Sequence, residues 1–358
     1  MDETGVLLAL LREYSPSGQE AGAVHTFVAL ARRLGYRARI DAVGNGIARR
    51  GAGRPRLIFL GHIDTVPGRR PVRRAGGRIY GRGAVDAKGP LAAALAAGVD
   101  FTGPGSLEIV AAVGEETDSR GARHLARRRG IDALIAGEPS RWDGVTVGYR
   151  GDLRFVAAFR GRRSHYSSPR PTTADVAVDW VGALRRWVES RRTDSPFRSM
   201  SVKVIGFTTR GGGDREEVRV TVDLRLPPGS SAAETFRSLP REPGRPRCSV
   251  SVRIDPIEAA RDSPVGRALE AGIRAAGGRP TRWRKGGTSD WNLVGPIWNA
   301  PGAAYGPGDP HLDHTAAESV SVRDLGRSVR ILRTAFGEIA RALPTGPDVP
   351  RPREPPSR

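Results

Sequence analysis

The chain of 358 residues has a single cysteine, Cys248. Without a second thiol it can form neither an intrachain disulfide nor a thiolate metal cluster, and a cytoplasmic location is the default expectation. Lysine is almost as scarce. Lys88, Lys203 and Lys285 are the only three, so nearly all of the 58 basic residues are arginine. No uninterrupted apolar run approaches the roughly 18 residues of a membrane-crossing helix, so no membrane partner is expected. The N-terminus, MDETGVLLALLREYSPSG, has no basic stretch before its apolar run. It reads as an amphipathic first helix and not as a signal peptide. Aromatic residues make up only 6% of the chain. Arginine–glycine–phenylalanine repeats and zinc-finger spacings are absent, which argues against a dedicated nucleic-acid binder.

The net charge is +20. Such a balance attracts acidic partners. It is equally compatible with a compositional preference for arginine that carries no function. The length allows two or three domains.

Between Arg56 and Ala136 the pattern alternates between strand and helix. LIFLGHID (57–64), SLEIVAAVGEE (106–116) and ALIAGEP (133–139) read as buried strands. PLAAALAAGVDF (90–101) and RGARHLARRRG (120–130) read as the helices between them. This order predicts a parallel or mixed sheet with helices on its faces. At Gly144 the character changes. Strand-like runs, one long helix (172–191), a short helix at AAETFRSLP and a further strand (247–256) describe a separate α+β segment of ordinary domain size. After Asp262 the first pattern resumes, with helices over 264–277 and 320–342. One domain is thus interrupted by another: 1–146 and 258–342 form the first and 147–257 the second. The Pro-rich tail, 343–358, is expected to be disordered.

Polar residues gather where the strands stop, which is where open α/β sheets bind ligands. GHID places His62 and Asp64 on the same side of an extended end, so that Asp64 can hold the far nitrogen of His62. GRGAVDAKG places Asp86 on a glycine-rich loop before a helix. Glu115 and Glu116 end the next strand, Glu138 the one after, and GPGDPHLDHTAAES adds His311 and His314. A single loop carboxylate is ordinarily just solvated. Five or more such groups in one crevice repel one another unless cations sit between them. Histidine and carboxylate without cysteine suit zinc, cobalt or manganese.

The pieces GHIDTVPG, GRGAVDAKG, VGEETDSRG, AGEPS, RRSHYSSP and GGTSD, in this order between about residues 60 and 320, resemble a family of dinuclear-zinc amidohydrolases and peptidases. That family includes acetylornithine deacetylase, succinyl-diaminopimelate desuccinylase, aminoacylase and the glutamate carboxypeptidases. GEPS followed by VTVGYRG, the short length and YGPGDPHLDHT resemble one branch in particular. Its members release lysine or ornithine from a small acidic amino-group carrier protein of the LysW type.

The resemblance implies a mixed-sheet catalytic domain interrupted by a ferredoxin-like lid and dimerisation domain. It implies two divalent ions, zinc or cobalt, bridged by Asp86. His62 and Glu116 would complete one site, and Glu138 and His314 the other. His314 is preferred to His311 because HTAAE keeps a His-x-x-x-Glu pattern with Glu318. Glu115 would be the general base, with Asp64 beside it as a catalytic-site carboxylate. His165 in RRSHYSSP would reach the active site of a partner subunit, which requires a homodimer. Arg225 would grip a substrate carboxylate, or else serve only structure, and Gly287, Thr288 and Ser289 could bind one too. The loop before the arginine strand, TRGGGDREE, lacks the asparagine that the family often carries there. The expected function is amide hydrolysis that frees a diamino acid from an acidic carrier protein. The alternatives are deacylation of a small N-acyl amino acid, a metal-free scaffold on the same fold, and nucleic-acid binding motivated by charge alone.

Overall fold

In the structure, a computed structural model, residues 1–346 are described except Ser164, Tyr166 and Gly213. Residues 347–358 of the expected tail, and two positions of RRSHYSSP, therefore lie outside the described residues. The chain folds into two compact units. One comprises residues 1–148, 259–283 and 289 onward; the other comprises 149–258 and 284–288. Among the described residues no helix is long and apolar enough to cross a membrane.

The first unit is built on a mixed sheet. Its strands run in the spatial order Arg37–Ile40, Gly46–Gly51, Ser106–Ala112, Arg56–His62, Ala133–Ala136, Gly302–Ala304 and Gly144–Tyr149. Arg56–His62 pairs in parallel with both Ser106–Ala112 and Ala133–Ala136. These three strands therefore end at one edge, and His62 closes the middle one. Their side chains are buried nearly throughout, as parallel strands covered by helices require.

Helix Lys88–Gly98 is alanine-rich, and small side chains let it lie close to the sheet. At Gly98 a Cβ would come within 2.6 Å of the Tyr36 hydroxyl and 2.8 Å of Leu107, so only glycine fits. Helix Val322–Ala342 buries Leu325, Val329, Leu332, Phe336 and Ile339, spaced three and four apart. Its Phe336 meets Phe59 of the sheet edge-on, with ring centroids 6.4 Å apart. The first helix, Glu3–Arg12, begins where Asp2 accepts a hydrogen bond from Gly5 N at 2.9 Å.

The second unit has the order strand, helix, two strands, helix, strand. Its sheet runs Ser201–Gly212, Arg215–Leu226, Gly151–Arg162, Arg247–Ile254, all antiparallel. That is the ferredoxin-like arrangement. Helices Thr173–Glu189 and Ala232–Arg237 pack on one face. Alternate residues of the central strands, including Phe155, Phe159, Val220 and Leu224, point there and enclose Trp180 and Leu184. Trp180 is fully buried, and its Nε1 donates to Pro240 O at 2.8 Å. Thr172 and Asp175 close a capping box at the start of the long helix.

Candidate active site

The site of the first unit is assembled at the shared end of the parallel strands. His62 is 1% exposed. Its Nε2 lies 3.1 Å from Asp86 Oδ1, and its Nδ1 lies 3.0 Å from the main-chain oxygen of Asp64. The other oxygen of Asp86, Oδ2, lies 3.0 Å from His314 Nε2. One carboxylate thus stands between two imidazoles, one oxygen for each. His314 Nε2 also lies 2.9 Å from Glu116 Oε1. Its backbone is left-handed, with φ of 61°, which is costly for a residue other than glycine.

The donor atoms fall into two sets that share Asp86: His62, Asp86 and Glu138; and Asp86, Glu116 and His314. Within each set the atoms lie inside 4.8 Å of one another, and His62, Glu115 and Glu116 form a further group of that size. This corrects the expected grouping. Glu116 stands with His314, and Glu138 stands with His62. The strand of His62 has neighbours on both sides, one leading to Glu116 and the other to Glu138. Sequence order alone does not say which carboxylate shares its side of Asp86. Imidazole nitrogen and carboxylate oxygen, with no thiolate among them, fit divalent cations of the zinc and cobalt kind.

Asp64 is fully buried, and its carboxylate lies within ion-pair distance of the far nitrogen of His62, with Oδ1 3.6 Å from Nδ1. Oδ1 and Oδ2 also accept the backbone N–H groups of Glu115 and Glu116, each at 3.1 Å, and Ser17 Oγ donates to Oδ2 at 2.7 Å. Asp64 therefore holds the turn on which both glutamates sit, while its main chain orients His62.

The electrostatics follow from burial and pairing. Burial pushes the Glu115 carboxyl well above its usual pKa, and the carboxylates of Glu138, Asp290 and Asp86 add to the effect. Burial works the same way on Asp86, yet its bonds to His314 and His62 outweigh it and hold the group well below the usual range. Asp86 and Glu116 raise His314 to about 10. For His62, burial disfavours the charged ring, but Asp64 and Asp86 raise it well above the usual value.

The loop carrying Asp86 is tied down from behind. Glu318 is 2% exposed. Its Oε1 accepts from Gly83 N at 2.9 Å, Val85 N at 3.1 Å and Asp86 N at 3.2 Å, and its Oε2 accepts from Arg82 Nη1 at 2.6 Å. Arg82 Nη2 donates to His314 O at 3.3 Å. Glu318 and Arg82 thus join the backbone of Asp86 to that of His314. Gly83, with φ of +91°, supplies the turn. Lys88 is buried behind the loop and donates to Glu13 O at 2.6 Å; burial lowers its pKa to about 8.

Sequence reasoning assigned no role to Arg82 or Asp290. Arg82 lies inside GRG, a stretch read only for its glycines. Asp290 ends GGTSD, is 4% exposed, and is pushed up to about 7 by burial, with the charge of Asp64 adding and that of His62 opposing. An acid at the first position of a helix reads as an ordinary helix start, and nothing local announces that it is buried.

The remaining candidates are not members of these sets. His311 is exposed and, among the described residues, pairs only with Asp309, at 2.9 Å. Ser289 is buried at the head of helix Asp290–Trp298, where its N–H donates to Asn292 Oδ1 at 3.0 Å. Gly287 and Thr288 belong to the second unit, and Gly287 is exposed. In the second unit His165 is exposed, with Nδ1 2.7 Å from Ser167 Oγ. Arg225 turns its fork onto Asp223, at 3.0 and 3.2 Å, and its Nη1 is 3.5 Å from Asp152 Oδ2. Those carboxylates hold the guanidinium in one orientation.

The model of peptidase family M20/M25/M40 matches residues 58–338. A protein of Pyrococcus furiosus named putative LysW-lysine/LysW-ornithine hydrolase is 33% identical over 334 residues, covering 93% of this chain and 96% of that protein. A LysW-lysine hydrolase of Deinococcus radiodurans is 35% identical over 343 residues, covering 90% and 92%. Among solved structures, aminopeptidase PepT of Bacillus cereus matches with a TM-score of 0.79 at 17% identity, over 94% of this chain and 98% of that one. The M20 family metallo-carboxypeptidase Sso-CP2 of Sulfolobus solfataricus matches with a TM-score of 0.76 at 17% identity, over 96% and 100%. These structural likenesses speak for the fold.

Proposed function

Since the chain belongs to peptidase family M20/M25/M40, we propose that it hydrolyses the amide joining lysine or ornithine to an acidic amino-group carrier protein, in the cytoplasm and as a homodimer. The observation that carries the hydrolytic part is the Asp86 carboxylate lying between His62 and His314, with Glu115 beside them on a turn held by Asp64. The names of the relatives from Pyrococcus and Deinococcus support the carrier-linked substrate.

His62, Asp86 and Glu138 would hold one divalent ion, zinc or cobalt, and Asp86, Glu116 and His314 a second. When bound, such ions polarise an amide carbonyl and make water more acidic. The chain's own residues do the rest. Glu115, whose basicity burial raises, takes a proton from water in the site as the water oxygen adds to the carbonyl carbon. The amide C–N bond then breaks, and Glu115 returns that proton to the leaving nitrogen. The products are the carrier's free carboxylate and the amino group of the diamino acid. The oxyanion formed in between needs a hydrogen-bond donor, a role that falls to His165 of the partner subunit. Arg225, pre-aimed by Asp223, would bind the diamino acid's carboxylate through its fork.

Dimerisation through the second unit is supported by its uncovered edge. Strand Ser201–Gly212 lies at the border of the sheet with Ile205 51% and Phe207 42% exposed, and Val178 of the long helix is 58% exposed. Exposed apolar residues on an edge strand invite pairing with another chain.

The test is Glu115→Gln. It should bind as much metal as the parent and lose turnover of carrier-linked lysine by about a hundredfold or more, the usual worth of a general acid–base group. Loss of metal together with turnover would mean that Glu115 is a ligand and the role given to it is wrong.

A further inference from the structure

Among the described residues, the ferredoxin-like sheet of the second unit carries its helices on one face, and the other face is where the arginines collect. Strand register decides this. Arg162 lies directly opposite Arg215. Arg160 lies opposite Glu217, and Glu217 in turn opposite Arg210. Arg219 is two residues further along the same strand, on the same side as Arg215 and Glu217. The apolar residues between them, Phe159, Val218 and Val220, turn the other way into the core. One end of the sheet thus presents five arginines around one glutamate. Glu217 bonds Arg160 at 2.8 Å and Arg219 at 3.3 Å. Arg162, Arg210 and Arg215 have no carboxylate within 4.0 Å among the described residues, and all three are exposed. They line a cleft of about 620 Å³ at the strand ends.

Like charges directly opposite each other destabilise a sheet. The unit's core does not use these side chains, so its stability gives no reason to keep Arg162 against Arg215. A general preference for arginine would raise their number everywhere but would not by itself set cation against cation across a rung. A guanidinium fork matches a carboxylate in two parallel hydrogen bonds. Among the described residues the cleft has no aromatic side chain on which a base could stack, which nucleic-acid grooves commonly offer.

We propose that this arginine-lined sheet end is the docking face for an acidic protein surface, that of the amino-group carrier; the identity of that partner rests on the hydrolase reading above. Strand Gly151–Arg162 ends at the cleft, and His165 follows three residues later. A partner held here is held at the end of the sheet from which the proposed oxyanion donor extends.

The experiment reverses two exposed charges, Arg215→Glu with Arg219→Glu, both on an inner strand and outside the proposed catalytic and dimerisation machinery. Binding is followed by fluorescence anisotropy with a labelled acidic carrier protein bearing lysine on its C-terminal glutamate. Turnover is followed on that conjugate and on Nα-acetyl-lysine. The variant should bind the carrier about tenfold or more weaker at low salt, with a flatter salt dependence, because long-range steering is lost. Its kcat/KM on the conjugate should fall in step, while Nα-acetyl-lysine hydrolysis and metal content stay at the parent level. Unchanged carrier affinity overturns the inference. So does an equal loss on both substrates, which would mark a structural lesion. If the parent binds the carrier without cleaving it, the hydrolase reading fails, and a loss of affinity in the variant still supports the docking face. Tighter binding of a double-stranded DNA oligomer than of the carrier, lost in the same variant, overturns the proposal in favour of nucleic acid.

Discussion

Replacing Glu318 by alanine should cost the first unit more than replacing any of the proposed ligands, although Glu318 is not one of them. The carboxylate is 2% exposed and accepts four hydrogen bonds: three from the N–H groups of Gly83, Val85 and Asp86, and one from Arg82. Breaking a buried ion pair by removing one partner costs about 3–5 kcal/mol. Each buried N–H left without an acceptor adds about 1–3 kcal/mol, less where water enters the space left behind. Glu318→Ala should therefore lose about 5 kcal/mol, a large part of the roughly 5–15 kcal/mol that stabilises an ordinary domain. Glu318→Gln keeps an acceptor for the three N–H groups and gives up only the charge opposite Arg82. Its cost should be about 1.5–3 kcal/mol. Because the same carboxylate fixes the loop of Asp86, the glutamine variant should also bind zinc about 10- to 100-fold more weakly, as found when groups that orient metal ligands are changed. Urea unfolding followed by circular dichroism, with and without added zinc, measures both effects. An alanine variant within about 1 kcal/mol of the parent, with unchanged zinc affinity, would refute the reasoning.

His314→Ala should lose metal and activity together, whereas His311→Ala, which removes only an exposed pair with Asp309, should keep both within about twofold. Metal analysis and kinetics on the two variants decide which histidine belongs to the site. Mixing inactive Glu115→Gln with inactive His165→Ala should restore part of the activity, because a hybrid dimer carries one site with both groups intact. A protein that sediments as a monomer at micromolar concentration contradicts this expectation. Prolonged treatment with a chelator should abolish turnover, and added zinc or cobalt should restore it; full activity in the metal-free protein would remove the basis of the proposed chemistry.

Much of the fold is legible in the sequence because periodicity reports burial. The runs read as strands over 57–64, 106–116 and 133–139 correspond to Arg56–His62, Ser106–Ala112 and Ala133–Ala136. The long helices appear as Thr173–Glu189 and Val322–Ala342, within two residues of their expected ends. Several strands were not anticipated, among them Arg37–Ile40 and Gly46–Gly51. Four of their ten residues are arginines and their outer ends are exposed, so they lack an apolar signature. The three-residue strand Gly302–Ala304 is too short to show a period, yet it occupies an inner position in the sheet. The site divides in the same way. That His62, Asp86, Glu116 and Glu138 gather with a C-terminal histidine could be read from polar residues where the strands stop; the choice of His314 over His311 came from the family resemblance. Which glutamate shares a side with which histidine depends on the lateral order of strands, a long-range property that no local pattern encodes. The work of Asp64 was legible only in part for a related reason. Alternation says that its side chain shares a side with that of His62, but not that two N–H groups fifty residues away arrive there as well.

The inner position of Gly302–Ala304 bears on how the chain is made. This strand pairs with Ala133–Ala136 on one side and with Gly144–Tyr149 on the other. All three lie in one sheet, yet more than a hundred residues of the second unit are translated between them. On the ribosome the ferredoxin-like unit can finish folding while the sheet that precedes it still has a gap. During that interval Ala133–Ala136, an apolar strand, keeps one edge open to the solvent and to other nascent chains. At roughly 5–20 residues per second the interval lasts on the order of ten seconds. Release of the C-terminal segment then closes the sheet and brings His314 to Asp86, so completion of the sheet and assembly of the donor set would coincide. A chain stopped before residue 302 would have its second unit whole, its first unit open-edged, and one of its five donor residues, His314, missing.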